Sequence, residues 1–381
     1  MSLICVGMLL LQAGALADID RAMADGISAG AFPGAVVVVG TGDRVLLAKG
    51  YGHFTYSTAS SVPSADSTLY DLASLTKVVA TTAAIMKLVD RGRLDLAAPV
   101  QRYLKDFVGD GKELVTVRHL LEHRSGLRAF LPLNDMSSTA AEARRLVMAE
   151  PLRWAPASRM EYSDLNAMLL GWIVESVSGM PLDEFADREV FEPLGMTQTE
   201  FTPSRDRRPR IAPVGLWRGH VIAGELHDQN AVRLGGVSGH AGLYSTGSDL
   251  ARYAQMYLNH GRDSSGVQLI RPETIDVFTR RGVGNRALGW EMRDTMDVAN
   301  SGALLSSRSF GHGGYTGTSI WIDPDRDLYV VILTNRVFAP RTSRSISTLK
   351  AIRARVADAA VALRAEECSS VVIGARTRRR C

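Results

Sequence analysis

Ser74 and Lys77 stand three residues apart at the head of the stretch Leu69–Gly92, LYDLASLTKVVATTAAIMKLVDRG. On a helix that spacing puts both side chains on one face, about 5–6 Å apart at Cβ. A serine hydroxyl is a weak nucleophile until a base lies within hydrogen-bond reach, and this lysine is placed to be the base. A base must be neutral. Burial among the apolar residues that follow, together with the positive helix N-terminus, is expected to depress the Lys77 pKa. The same N-terminus aims N–H groups at whatever Ser74 attacks, which suits a developing oxyanion. The pattern is short, and Ser347-Thr348-Leu349-Lys350 repeats it. The plain alternative for Ser74 is a capping serine beside a surface lysine. Context separates the two copies: the first opens an apolar run that reads as buried, whereas the second lies in RTSRSISTLKAIRAR, basic and solvated.

Other chemistry-bearing residues are scattered along the chain. Tyr162-Ser163-Asp164 opens a helical run, and a tyrosine at a helix start near a lysine can reach useful base strength. Taken alone it reads more readily as a half-buried tyrosine with a capping Asp164. Gly311-His312-Gly313-Gly314-Tyr315-Thr316-Gly317 lies between two strand patterns, where glycines let backbone approach a ligand, or simply make a tight hairpin. His119-Leu120-Leu121-Glu122-His123 has the H-x-x-E-H spacing of inverted zincins; on a helix the two imidazoles would share a face, with Glu122 as base. It is the rival from another class, a zinc peptidase, and it wants for a third ligand. Gly26-Ile27-Ser28-Ala29-Gly30 spells the G-x-S-x-G of a nucleophile elbow, but a helix pattern precedes it and a strand follows, the reverse of what the elbow needs. Gly235–Gly242 (GGVSGHAG) reads as a tight loop entering a short strand and then a helix, fit either to line a pocket or to pack closely. There is no phosphate-binding G-x-x-x-x-G-K-[ST] loop, no dinucleotide fingerprint and no sign of a cofactor.

The elements that must hold these residues follow from pattern. From Asp18 to Gly30 the chain reads as an amphipathic helix, and 35–40 with 44–50 as a hairpin. Residues 95–249 are mostly helical, most clearly over Val117–Glu122, Ala140–Ala149, Asn166–Ser176 and Pro181–Phe191. Strands return at Ser309–Gly311, Ser319–Asp323 and Leu328–Thr334, and a last helix runs over Ser343–Leu363. The expected division is an α/β part from 18–95 and 285–365, closed by the two chain ends, and a helical part over 96–284. With 46% hydrophobic and 22% charged residues, the 381-residue chain has the composition of an ordinary globular protein. Arg376, Arg378, Arg379 and Arg380 account for the whole net charge of +4, so no basic face for nucleic acid is implied. Residues 366–381 read as a basic, disordered tail. Cys5, Cys368 and Cys381 all lie near the ends, which argues against a disulfide framework or a catalytic thiol. Residues 1–17 end in Ala15-Leu16-Ala17 and read as a candidate signal peptide, though no Lys or Arg precedes the apolar run. The expectation is therefore periplasmic or secreted, with the cytoplasm as the alternative, and no transmembrane segment.

Taken together and in order, the segments resemble the β-lactamase-related serine hydrolases: class C β-lactamases, low-molecular-weight penicillin-binding D,D-peptidases, D-aminopeptidases and family VIII esterases. The resemblance spans roughly Asp18 to Ala365. It rests on Ser74-Leu75-Thr76-Lys77 for S-x-x-K, Tyr162-Ser163-Asp164 for Y-x-N and His312-Gly313-Gly314 for K-T-G or H-T-G. TVRHLLEHRSGL (Thr116–Leu127), GELHDQNA (Gly224–Ala231), the Gly235–Leu243 loop and LYVVILTNR (Leu328–Arg336) support it. It implies an antiparallel sheet flanked by helices, with a mostly helical insertion. It also implies Ser74 as nucleophile, Lys77 as its base, Tyr162 as second acid/base, and the N–H groups of Ser74 and Tyr315 as oxyanion hole. Asp164, His312, Gly313 and Gly314 would face the substrate. Two departures stand out. Asp164 replaces Asn, putting a carboxylate where an amide would touch an acylamide, and Gly313 replaces Thr, removing a hydroxyl. The expected activity is acyl-enzyme hydrolysis of a small ester, β-lactam or short peptide, carboxylesterase-like with weak β-lactamase activity. Alternatives are a D,D-peptidase or D-aminopeptidase, and a non-catalytic binding protein on the same fold.

Overall fold

In the computed structural model, which describes residues 2–371, the sheet that carries the third motif has six strands. Their order across the sheet is Val45–Gly52, Gly34–Gly40, Leu328–Thr334, Ser319–Asp323, Phe310–Gly313 and Glu291–Met292, all antiparallel. GAVVVVG and LYVVILT form its middle because neither carries a polar residue that must reach water, and every residue of both is buried. Side chains alternate between faces along a strand. Val37 and Val39 pack with Ile19, Met23, Ile352 and Val356 on one side. Val36 and Val38 join the larger core with Leu250 and Ala254 on the other. The first side is covered by the two terminal helices, Ser2–Ser28 and Ser345–Val371.

Between these strands the chain from 53 to 290 is mostly helix and loop. Helix Ala140–Ala149 starts where Thr139 accepts a hydrogen bond from the Glu142 N–H, a side-chain cap of ordinary kind. Helix Asp164–Ser178 ends at Gly179 in a left-handed conformation. A small sheet of Tyr70–Asp71, Leu243–Ser245 and Glu200–Phe201 ties the segment before Ser74 to the strand after the Gly235–Gly242 loop.

Several boundaries move from the sequence expectation. The first helix begins at Ser2 rather than Asp18, with Ala15 already buried against the last helix. The last helix continues through Cys368 to Val371, so residues 366–371 are helical; the remainder of the expected tail lies outside the described residues. The strand expected at Ser309–Gly311 is Phe310–Gly313, which puts His312 and Gly313 in the sheet itself. The helix expected to run to Glu122 stops at Leu121. Among the described residues no single helix is long and apolar enough to cross a membrane.

Candidate active site

Ser74 is delivered by a strained corner. Leaving the strand Tyr70–Asp71, the chain passes through Ala73 with φ of 46°, a conformation that costs a side-chain-bearing residue about 1–3 kcal/mol. Asp71 holds the corner. Its carboxylate accepts from the Ala73 N–H at 2.8 Å and from the His227 N–H at 3.0 Å. Burial pushes this carboxyl up to about 6, against the pull of those two donors. Ser74 then sits in the tight turn Ala73–Leu75, and a wider π-type turn, Lys77–Thr82, leads into the helix Ala83–Asp90. Such turns are frequent at functional sites.

The Lys77 ammonium nitrogen lies 2.8 Å from Ser74 Oγ, 3.0 Å from the His240 carbonyl and 2.8 Å from Asp164 Oδ1. The expected depression of its pKa is overturned. Burial does push the amine down, but the Asp164 carboxylate and the Tyr162 phenol outweigh it and hold Lys77 above the usual lysine range. Had position 164 been Asn, the larger of the two influences opposing burial would have been absent, leaving Tyr162 alone. Asp164, expected at the substrate-facing edge, is thus an ion-pair partner of the lysine, and four-fifths of its side chain is covered.

Tyr162 completes this side. Its ring packs on His123 (centroids 4.6 Å apart) and His312 (5.8 Å), with Lys77 Nζ 5.1 Å and the Arg286 guanidinium 5.5 Å from its centre. Both histidines are held neutral. Burial, then the charges of Arg286 and Lys77, push His123 well below its usual value and His312 down to about 3. His123 does not sit on a helix face with His119. It follows the helix end in a left-handed conformation (φ 55°), and its Nδ1 accepts from the Ser163 N–H at 3.1 Å. His119 is engaged in a capping box with Thr116. Among the described residues no three His, Cys, Asp or Glu side chains are grouped to hold a metal ion.

The third motif hangs from the first. Thr316 Oγ1 donates to the Asp71 carbonyl at 2.6 Å, and Thr318 Oγ1 to the Leu72 carbonyl at 2.9 Å. Gly314 is obligatory, since a Cβ there would stand 2.4 Å from the Leu72 carbonyl oxygen and 2.2 Å from Thr318 Oγ1. This places the backbone of Tyr315, whose carbonyl is fixed by Arg336 at 3.0 Å, beside the Ser74 corner. The Tyr315 ring is 58% exposed and lies 5.3 Å from His227. A Cβ at Gly313 would come 3.2 Å from Arg353 Nη1, so a guanidinium from the last helix occupies the space beside the missing threonine hydroxyl.

The Gly235–Gly242 loop belongs to the site as well. Gly239 meets helix Asp164–Ser178 backbone to backbone, its carbonyl accepts from Thr81 Oγ1 at 2.7 Å, and the next carbonyl, of His240, reaches Lys77. The buried His240 ring is fixed at both ends, Nε2 to Asp228 Oδ1 at 3.1 Å and Nδ1 to Ser238 Oγ at 2.7 Å.

Ser74, Lys77, Tyr162, Asp164, His312 and Gly313 therefore converge, and Tyr315 flanks them. Ser347 is on the last helix with its hydroxyl donating to the Arg344 carbonyl, and Ser28 ends the first helix. Asp71, His240, Arg286 and Arg353 escaped the sequence reading. Asp71 and His240 stand inside segments already singled out, so proximity was a usable signal. Arg286 and Arg353 carry none: one is in an aperiodic loop, the other among the arginines of a surface-like helix.

The beta-lactamase family profile matches residues 19–354. A putative D-alanyl-D-alanine carboxypeptidase of Salmonella schwarzengrund (strain CVM19633) is 33% identical over 346 residues, covering 81% of this chain and 80% of that protein. Among solved structures, EstCE1, a hydrolase with promiscuous acyltransferase activity, superposes with a TM-score of 0.73 at 21% identity over 90% of this chain and 99% of its own. A penicillin-binding protein homolog from Caulobacter crescentus gives 0.70 at 21% identity, over 90% and 97%. At such identities these two speak to the fold alone. The profile match over most of its length settles the assignment: the chain belongs to the beta-lactamase family of serine hydrolases.

Proposed function

We propose that this hydrolase acts through an acyl-enzyme on Ser74, with Lys77 and Tyr162 moving the protons and the Ser74 and Tyr315 N–H groups receiving the oxyanion. We further propose that its preferred acyl donors carry a carboxylate on the leaving-group side, as D-alanyl-D-alanine peptides do. The observation behind this preference is Arg286. Its guanidinium lies against the Tyr162 ring with Nε and Nη1 buried and making no hydrogen bond. A buried charged donor left unpaired is costly, and a substrate carboxylate would relieve it. Arg353, whose guanidinium lies beside Gly313, adds positive charge, with its own Nε unpartnered. The name of the Salmonella relatives points the same way. Neutral His312 and the missing hydroxyl at Gly313 support the second reading, a carboxylesterase that handles penicillins weakly.

Kinetics on an N-acyl-D-alanyl-D-alanine peptide and its C-terminal amide separate the two. The acid is expected to outperform the amide in kcat/KM by roughly 10–150-fold, the worth of one hydrogen bond to a charged group. Arg286→Gln should remove that advantage, and a fluorophosphonate should label the peptide bearing Ser74 in both proteins. Equal rates on acid and amide, with p-nitrophenyl butyrate faster than either, would establish the ester reading. Label on any serine other than Ser74 would overturn both.

A further inference from the structure

A lysine ammonium has three N–H donors and no lone pair. Lys77 Nζ has Ser74 Oγ at 2.8 Å, His240 O at 3.0 Å and Asp164 Oδ1 at 2.8 Å around it, and the Tyr162 phenol also hydrogen-bonds to it, so acceptors surround all three donors. The side chain is only 4% exposed, so no water replaces them. In this arrangement the nitrogen donates to Ser74 and is unable to take a proton from it. A general base needs an empty site, and of the two side chains bonded to the same nitrogen besides Ser74, the Tyr162 phenol and the Asp164 carboxylate, the carboxylate is the anion.

We infer that Asp164 is a catalytic proton acceptor: Ser74 passes its proton to Lys77 while Lys77 passes one of its own to Asp164. As Ser74 Oγ bonds to the substrate carbonyl carbon, the Oγ–H bond breaks and a new Nζ–H bond forms. At the same time one Nζ–H bond breaks, an Oδ1–H bond forms, and the carbonyl electron pair moves onto oxygen. Lys77 is an ammonium before and after. When the tetrahedral adduct collapses, the proton on Asp164 returns through Nζ to the departing amine or alcohol, and the carboxylate is restored. Nothing beyond enzyme and substrate is consumed.

The surroundings favour this route. The other charged or titratable groups facing the pair are Tyr162 and His123 on one side, His312 and Arg286 above the Tyr162 ring, and Asp228 behind His240. The two histidines are neutral, and Arg286 carries the positive charge that stays when Asp164 is protonated. Since Asp164 holds Lys77 in its charged form, the neutral amine is rare at neutral pH, whereas the relay starts from the dominant state. An amide at this position would accept a hydrogen bond from Nζ yet take no proton. The Asp at the place where the resembling Y-x-N motif carries Asn is therefore a change of mechanism rather than of substrate contact.

Asp164→Asn tests it, because the side chain keeps its size and one acceptor oxygen. The readout is the single-turnover acylation rate with p-nitrophenyl acetate from about pH 4 to about pH 10, which depends on no carboxylate-binding site and so is independent of the substrate preference proposed above. Wild type should show an acid limb and then a plateau. The variant should lose roughly 10²–10⁴-fold at neutral pH, lack that limb, and climb on the alkaline side as free amine forms. Asp164→Glu should keep an acid limb and recover part of the rate. Unchanged melting temperature confirms folding; should Asn fail to fold, the proton inventory of wild-type acylation in H2O–D2O mixtures carries the test alone. A curved inventory means two protons in flight and supports the relay, and a linear one overturns it. An Asn variant that acylates as fast as wild type, with the same acid limb, also overturns it. So does one that is faster, since the carboxylate would then be idling the lysine.

Discussion

Tyr162 is the residue whose surroundings leave the least freedom. Its ring is packed between His123 and His312, both neutral, and its hydroxyl bonds to Lys77, so stacking holds the ring even without the hydroxyl. Removing the hydroxyl alone should therefore leave the packing intact and expose the chemistry. Tyr162→Phe is expected to lower turnover by roughly 10²–10⁴-fold, the usual worth of a positioned acid or base. Its melting temperature should stay within a few degrees of wild type. If deacylation suffers more than acylation, mass spectrometry during turnover will show an acyl adduct on Ser74. A Phe variant that turns over normally would reduce Tyr162 to a packing residue. Asp71 teaches a related lesson three residues ahead of Ser74. Among the described residues it has no ion-pair partner, and it serves as an acceptor that fixes a left-handed alanine and the loop at His227.

Elements rather than single residues bring the Lys77 partners together, and the tightest join is Gly239 against helix Asp164–Ser178. A Cβ on Gly239 would stand 2.0 Å from the Ala167 carbonyl oxygen and 3.0 Å from the Gly171 nitrogen, both backbone atoms that have nowhere to go. Gly239→Ala should thus cost at least the 1–3 kcal/mol typical of overpacking. It should also carry the His240 carbonyl away from Nζ, so acylation slows together with a fall in the urea midpoint. A variant as stable and fast as wild type would mean the loop is free to shift. Joins of this kind explain what was legible in the sequence. Strands Ser319–Asp323 and Leu328–Thr334 and helix Ala140–Ala149 appear with the boundaries read from pattern, because burial on both faces or a polar cap writes itself locally. The S-x-x-K, tyrosine and glycine segments, each ambiguous when read singly, pointed to one site through their order along the chain, and the structure brings them together. The Lys77 charge state was misread, since it depends on a carboxylate 87 positions away. Arg286 was invisible because its only mark is the ring it faces across the fold.

At the scale of the whole molecule, the buried ionisable groups of this one site set how stability responds to acid. Asp71 has its carboxyl raised to about 6, so its contribution is largest at low pH and is lost as pH rises through about 6. Acidification from pH 7 to pH 5 should return about 1–1.5 kcal/mol through this group. His312 works oppositely. Its folded value, down to about 3, lies below that of the unfolded chain, so stability is full above about pH 6.5 and falls as the unfolded state takes up protons that the native state refuses. By pH 5 that loss is about 2 kcal/mol. His123, buried and lowered by the same neighbours, adds to it with the same sign. The histidines win: His312 and Asp71 alone leave a net loss of about 0.5–1 kcal/mol between pH 7 and pH 5, and His123 deepens it. Urea unfolding at the two pH values measures this directly, provided m is unchanged. His312→Asn, which does not titrate, should flatten the response by about the 2 kcal/mol assigned to that ring. Asp71→Asn should steepen it, because the opposing term is gone. Stability that is level or rises on acidification would show that water reaches Tyr162 and its two histidines, and that the site is not the dry pocket from which their neutrality follows.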